Sequence, residues 1–159
     1  MPEQRKFPLV IRNALCAEDV RPEANGKHSL LGVFAGDLLV QELVGAVRMA
    51  FYIEATTKVT GIIEANVIVY FDKQPIIKGE AKLDFLNVED PAVFAIPSFP
   101  VMLTKEGELR VDIECNGATR TVLKKMVRKA DLEAMARARE KSLKALTPPA
   151  PRRRRPRNL

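Results

Sequence analysis

Alternation of apolar and charged residues is clearest in the stretch Ile77-Lys78-Gly79-Glu80-Ala81-Lys82-Leu83-Asp84-Phe85. Its odd positions carry apolar side chains or none, and its even positions are all charged. A side-chain period of two is typical of a β-strand with one buried face and one face in water. Because strands of parallel sheets are apolar on both faces, the stretch predicts an amphipathic strand of an antiparallel sheet.

The same alternation recurs elsewhere, in segments 47–55, 63–71 and 109–115. Between 109–115 and the next segment lies Asn116-Gly117, which is typical of a type I′ hairpin because both central residues of that turn need positive φ. Asp72-Lys73-Gln74-Pro75 also joins two alternating segments. These patterns predict consecutive strands joined by short turns.

Seven to eight strands follow from this reading, and their apolar faces need a second sheet to cover them. The predicted fold class is mainly β, an antiparallel β-sandwich of immunoglobulin or C2-like type, over residues 1–128. Residues 87–100 contain Pro91, Pro97 and Pro100, and we expect them to form the longest irregular connection.

The C-terminal part of the chain has a different composition. Residues 129–146 lack β-branched side chains and include the pairs Glu133–Arg137 and Glu140–Lys144, which favour a charged α-helix. Residues 147–159 are rich in proline and arginine and predict a flexible, disordered tail.

A resemblance concerns the N-terminal third. Ala14–Arg21 combines a cysteine, acidic residues and an arginine, Asn25-Gly26-Lys27 follows, and Leu30–Gly36 begins with Leu-Leu-Gly-Val-Phe. This order resembles an uncharacterised bacterial and phage family of small β-sandwich proteins, over about residues 9–127. The resemblance implies a β-sandwich, and because the family has no assigned activity, it implies no catalytic residue.

Several function classes find no support in the sequence. No apolar stretch reaches the 18 residues of a membrane span, and the N-terminal residues lack the apolar segment of a signal peptide, so we predict a cytoplasmic protein with no membrane contact. Two cysteines, Cys16 and Cys115, are too few for a disulfide framework and are expected to be buried thiols.

Catalytic and metal sites are equally poorly supported. Cys16 and His28 form the one conceivable nucleophile and base pair, across a hairpin. The doublets Glu18-Asp19 and Glu89-Asp90 are interpreted as solvated acids, because calcium needs six to eight convergent oxygens. We therefore predict no enzyme activity, no metal and no cofactor.

Charge is distributed unevenly along the 159 residues, whose net charge is +6. Residues 1–119 hold 12 Lys and Arg against 17 Asp and Glu, whereas residues 120–159 hold 14 against 3. Guanidinium groups pair with phosphates, and polycations gain affinity by releasing counterions. The sequence therefore predicts a nucleic-acid-binding segment containing Lys124, Lys125, Arg128, Lys129, Arg152, Arg153, Arg154, Arg155 and Arg157.

Several interpretations of this basic segment stay open. As the leading hypothesis, a binding or adaptor domain contacts nucleic acid or another polyanion without sequence specificity, because no aromatic residue after Phe99 is present to stack on a base. An acidic protein surface is another partner, and a merely solvated tail is a third interpretation. The alternative function is a structural or assembly component, phage- or particle-like, whose helix and tail dock on a neighbouring subunit, which includes a homo-oligomer.

Overall fold

A computed structural model describes the backbone of residues 6–146 and the side chains of residues 6–143. The prediction of a mainly β chain followed by a helix is confirmed. In order, the described elements are β1 (Leu9–Ala17), β2 (Asp19–Pro22), β3 (His28–Leu31), β4 (Leu38–Val40), β5 (Gly45–Thr57), β6 (Gly61–Phe71), β7 (Gln74–Phe85), β8 (Ala92–Leu103), β9 (Gly107–Cys115), β10 (Ala118–Lys129) and α1 (Leu132–Leu146).

The ten strands exceed the predicted seven to eight. The additional ones are short, since β2 and β3 have four residues each and β4 has three. An alternating pattern is recognised over four to eight residues, so these strands are at or below the shortest length that can show one. The long strands β5, β6, β7 and β9 include the alternating segments of the sequence.

The described chain divides after Lys129, and we call residues 6–129 the body. The body contains a three-stranded sheet in the order β1-β5-β8, a five-stranded sheet in the order β4-β10-β9-β6-β7, and the two-stranded ribbon β2-β3. The strand pairs are antiparallel except for β4, which runs parallel to β10. The expectation of purely antiparallel pairing is therefore wrong at this edge of the sheet. The sequence of β4 is too short to indicate how the strand pairs.

The expected irregular connection over residues 87–100 is also wrong, because residues 92–100 belong to β8. Pro97 and Pro100 lie in this strand, which among the described strands pairs only with β5 and so forms an edge of its sheet. A proline has no N–H to donate, and an edge strand tolerates it because one side needs no partner. The register of β8 against β5 shifts next to Pro97.

Both predicted turns join neighbouring strands. Asn116 and Gly117 have φ of 52° and 72°, as a type I′ turn requires. Asp72 and Lys73 also have positive φ, of 47° and 71°, and connect β6 to β7 as a two-residue loop.

The two larger sheets contribute to one hydrophobic core. Alternate residues of β6 and β9 are buried in it, among them Val69 and Ile113, and Phe51 of β5 is fully buried. Burial of each such large side chain stabilises the folded state by roughly 1.5–3 kcal/mol. Cys16 and Cys115 are free and buried in this core, as predicted.

The second unit begins at Ala130 and contains α1. The helix begins three residues later than the predicted 129, because Asp131 caps it. Asp131 Oδ1 accepts a hydrogen bond from the backbone N–H of Ala134 over 2.9 Å, and its carbonyl accepts one from Met135. The predicted tail at 147–159 lies outside the described residues.

Candidate nucleic-acid interface

Strand β10 holds the four predicted cations that lie in the body. It lies inside the five-stranded sheet, between β9 and β4. Lys124 is opposite Arg110 of β9, and Arg128 is opposite Leu39 of β4. Lys124, Arg128 and Lys129 are exposed, whereas Lys125 is half-buried.

Two of these cations are paired with carboxylates of the body. Lys124 Nζ lies 2.7 Å from Glu108 Oε2, and Arg128 Nε lies 3.1 Å from Asp37 Oδ2. Exposed ion pairs contribute only about 0–1 kcal/mol to stability. Each acid nevertheless lowers the positive potential that a polyanion would meet at β10.

Lys125 and Lys129 differ from this pair. Lys125 Nζ donates a hydrogen bond of 2.7 Å to the Gly36 carbonyl. The backbone N–H of Lys129 donates to Glu106 Oε1 over 2.8 Å, and its side chain remains exposed. The four cations of β10 therefore lie in acidic or polar surroundings rather than forming one uncompensated basic patch.

Other cations of the basic segment lie in α1. Arg137, Arg139 and Lys141 are exposed on this helix. The tail arginines, namely Arg152, Arg153, Arg154, Arg155 and Arg157, lie outside the described residues.

The structure also shows cation contacts that the sequence analysis missed. The Arg110 guanidinium carbon lies 4.6 Å from the centroid of the Tyr70 ring, and Arg110 Nε lies 3.2 Å from Asp112 Oδ2. Asp112 is buried, and its Oδ1 accepts a hydrogen bond of 2.7 Å from the Thr121 hydroxyl. This cluster was not predictable from spacing, because Tyr70 and Arg110 become neighbours only through the register of β6 on β9.

Two concave surfaces lie along strands β6 and β7 of the five-stranded sheet. One, of about 690 Å³, is lined by polar side chains that include Glu64, Glu80 and Glu114. The other, of about 350 Å³, is a mainly apolar slot between β7 and β8, and Gly79 lies at its wall. The acidic residues of the first surface oppose a direct contact between this face and a polyanion.

Of the conceivable catalytic pair, Cys16 is fully buried in the core, whereas His28 is half-buried on β3. The His28 ring packs edge-on against Tyr52, with 5.5 Å between centroids. Burial raises the pKa of the Cys16 thiol to about 12, although the charge of Lys125 acts in the opposite direction. A thiol with a raised pKa is a weak nucleophile.

The acidic doublets belong to local contacts. Asp19 pairs with Arg21 over 2.6 Å, and Asp90 accepts a hydrogen bond of 3.0 Å from the Asn87 amide. Among residues 6–143, no three His, Cys, Asp or Glu side chains form a group that could hold a metal ion. Within the described part of the chain, no helix is long and apolar enough to cross a membrane.

Comparison with known proteins adds no assignment. The sequence matches no known protein family model, and no curated protein matches it.

Proposed function

We propose that the protein is a non-enzymatic binding or adaptor domain whose basic C-terminal segment contacts nucleic acid or another polyanion without sequence specificity. The observation that carries this proposal is the separation of charge. Residues 120–159 hold 14 basic residues against 3 acidic ones. An acidic protein surface is another partner for the same basic residues.

Two cations of β10 are paired with acids, whereas the described cations of α1 are exposed. Lys124 and Arg128 are paired with acids of the body. Arg137, Arg139 and Lys141 are exposed on α1, and five more arginines follow in the sequence. We therefore expect α1 and the tail to supply most of the affinity for a polyanion, and β10 to supply less.

The test is salt-gradient elution of the full chain from immobilised DNA and RNA of several sequences. Deletion of residues 147–159 is expected to abolish salt-sensitive retention, because log K changes by about 0.9 per decade of salt for each phosphate contact on B-DNA. In the full-length chain, replacement of Arg137, Arg139 and Lys141 by Gln is expected to weaken retention without abolishing it. Unchanged retention of the deleted chain would contradict the proposal.

A matched variant compares the two groups of cations. Replacing Lys124 and Arg128 by Gln removes two charges whose potential is already offset by Glu108 and Asp37. The loss of retention per charge is expected to be smaller than in the α1 variant. Competition with poly-glutamate and with DNA distinguishes the two kinds of partner. If the partner is an acidic protein, poly-glutamate is expected to displace it at lower concentrations than DNA does.

The second candidate is a structural or assembly component, phage- or particle-like, whose helix and tail dock on a neighbouring subunit. Its support is the exposure of Leu132 and Met135 on α1, at 56% and 49%. An isolated helix of 15 residues is marginally stable in water, so an apolar partner surface would stabilise it. Substitution of both residues by Gln would weaken such docking and leave retention on DNA unchanged.

We also infer the finer fold class. The shared core of the two larger sheets supports a β-sandwich of immunoglobulin or C2-like type. Gly32 has a φ of +63°, and the Glu18 side chain fills the space of a Cβ there; the resemblance to the bacterial and phage family stays a prediction. The free thiols of Cys16 and Cys115 support a cytoplasmic location.

A further inference from the structure

Strand β7 is a long edge strand that has neither a proline nor a bulge between Ile77 and Phe85. It pairs with β6 on one side and with no described strand on the other. Its bulge and its proline, Pro75, are confined to its start, so the register from Ile77 to Phe85 is continuous. Edge strands are commonly protected by prolines, bulges, short length or charged side chains, because their unpaired N–H and C=O groups attract further strands. Of these, residues 77–85 have only the charged side chains, which include both signs.

The other edges of the two larger sheets show such protection. Strand β8 contains Pro97 and Pro100, β4 has three residues, and β1 has a register shift at Arg12. The free edge of β7 therefore stands out in the body as a site for adding a strand.

Charges along β7 make this edge complementary to itself. Lys78, Glu80, Lys82 and Asp84 alternate in sign on the face away from the core. A second β7 placed antiparallel, with a twofold axis at Ala81, brings Lys78 opposite Asp84 and Glu80 opposite Lys82. Each pair occurs twice, which gives four opposite-charge pairs, and such cross-strand pairs stabilise sheets.

Neighbouring registers contain fewer opposite-charge pairs. Moving the axis by one residue in either direction places Glu80 opposite itself or Lys82 opposite itself. Moving it by two residues leaves only two opposite-charge pairs. Registers that pair an even position with an odd one bring charged and core-facing side chains onto the same face.

The core-facing side of the same register is complementary in size. It places Leu83 of the second copy opposite Gly79, where a Cβ would meet nothing within 4 Å. The apolar slot of about 350 Å³ lies here, lined by Ile77, Phe94 and Ile96 among others. Leu83 of the second copy would cover apolar surface that water contacts in the single chain.

We propose that two copies of the chain associate through antiparallel pairing of residues 77–85, with the twofold axis at Ala81, so that their five-stranded sheets join. The proposal does not depend on binding of nucleic acid.

The test is sedimentation velocity of the full, nuclease-treated chain over a concentration series. The wild-type chain is expected to form a dimer. Lys78→Glu places a carboxylate opposite Asp84 twice in each dimer, and Asp84→Lys places an ammonium group opposite Lys78 twice. Each variant is expected to weaken association about tenfold or more. Inside the chain, Lys78 and Asp84 are opposite Ile68 and Ile62, so neither change places like charges directly opposite each other within the sheet.

Mixing the two variants provides the decisive measurement. A heterodimer of Lys78→Glu with Asp84→Lys contains only opposite-charge pairs at these positions, so mixing is expected to restore association near the wild-type level. Glu114→Lys, on the same face of central strand β9, is the matched control and is expected to leave association unchanged. A wild-type chain that stays monomeric throughout the series, or a mixture that fails to associate, would overturn the proposal.

Discussion

The carboxylate of Asp72 occupies the space in which a side chain at Gly107 would begin. A Cβ built on Gly107 would lie 2.7 Å from Asp72 Cγ. Lys105 Nζ lies 2.6 Å from Asp72 Oδ2, and the N–H of Glu108 donates to Oδ1 over 2.9 Å. The turn between β6 and β7 is therefore attached to the start of β9.

Gly107→Ala is expected to lower the free energy of unfolding by about 1–3 kcal/mol, because the added methyl group displaces a carboxylate that two other groups hold. Urea denaturation measures the change. Gly79→Ala is the matched control, since its Cβ meets nothing within 4 Å and alanine is favoured over glycine in a strand by roughly 0.5–1 kcal/mol. Equal stability of the two variants would contradict the close contact.

Asp72 also predicts a dependence of stability on pH. The hydrogen bond from Lys105, and next the one from the Glu108 N–H, lower the pKa of Asp72 below its ordinary 3.8. The folded state therefore gains stability from this group above pH 3.8 and loses it as the pH falls through the lower folded-state pKa.

Asp72→Asn tests this pH dependence, because asparagine tolerates the positive φ of the turn and does not titrate. The wild-type chain is expected to be the more stable one at pH 7, and the difference should shrink as the pH falls below 3.8. Urea denaturation at pH 7, 5, 4 and 3 measures it. A difference that stays constant over this range argues against the lowered pKa.

Cys16 predicts a loss of stability at high pH. Burial raises its pKa from 9.0 to about 12 in the folded chain. The unfolded chain therefore loses the thiol proton first, and the folded state loses stability as the pH rises from 9.0 toward 12. Cys16→Ala removes this part of the pH dependence, which denaturation between pH 8 and pH 11 detects. A wild-type curve parallel to that of the variant would refute the assignment.

Thr121 is expected to stabilise the buried carboxylate of Asp112. Thr121→Val removes the hydroxyl that donates to Asp112 Oδ1 over 2.7 Å, and should lower the free energy of unfolding by about 1–3 kcal/mol. Thr119→Val is the control, because Thr119 is likewise exposed on the same strand but lies opposite Glu114 rather than Asp112, so its substitution should change stability by less than about 0.5 kcal/mol. Thermal or urea denaturation of both variants shows whether only the Thr121 substitution lowers the free energy of unfolding.

The sequence predicted the long strands because their side chains face a core on one side and water on the other. It misled at β8, where Pro97 suggested an irregular segment although an edge strand accommodates proline. It missed β4, whose three residues contain no period. These elements depend on which strands pair with each other. A short segment of sequence does not show that pairing.

The candidate interface was also predictable only in part from the sequence. The cations of β10 were evident in the sequence, but their partners were not. Asp37 and Arg128 are 91 positions apart and become neighbours because β4 pairs with β10. Glu108 and Lys124 meet through the register of β9 on β10. The sign of a segment's charge can therefore be read from its residues, whereas its neutralisation depends on the fold.

The position of β10 between β9 and β4 has a consequence for how the body forms. A ribosome releases the chain from its N-terminal end, so β4 is made long before its partner β10. Residues 38–40 can join the sheet only after residues 127–129 have emerged, which makes this pairing a contact of high sequence separation. Closure of the five-stranded sheet is thus a late event in synthesis, and a nascent chain that ends before β10 leaves β4 without a partner and β9 paired on one side only.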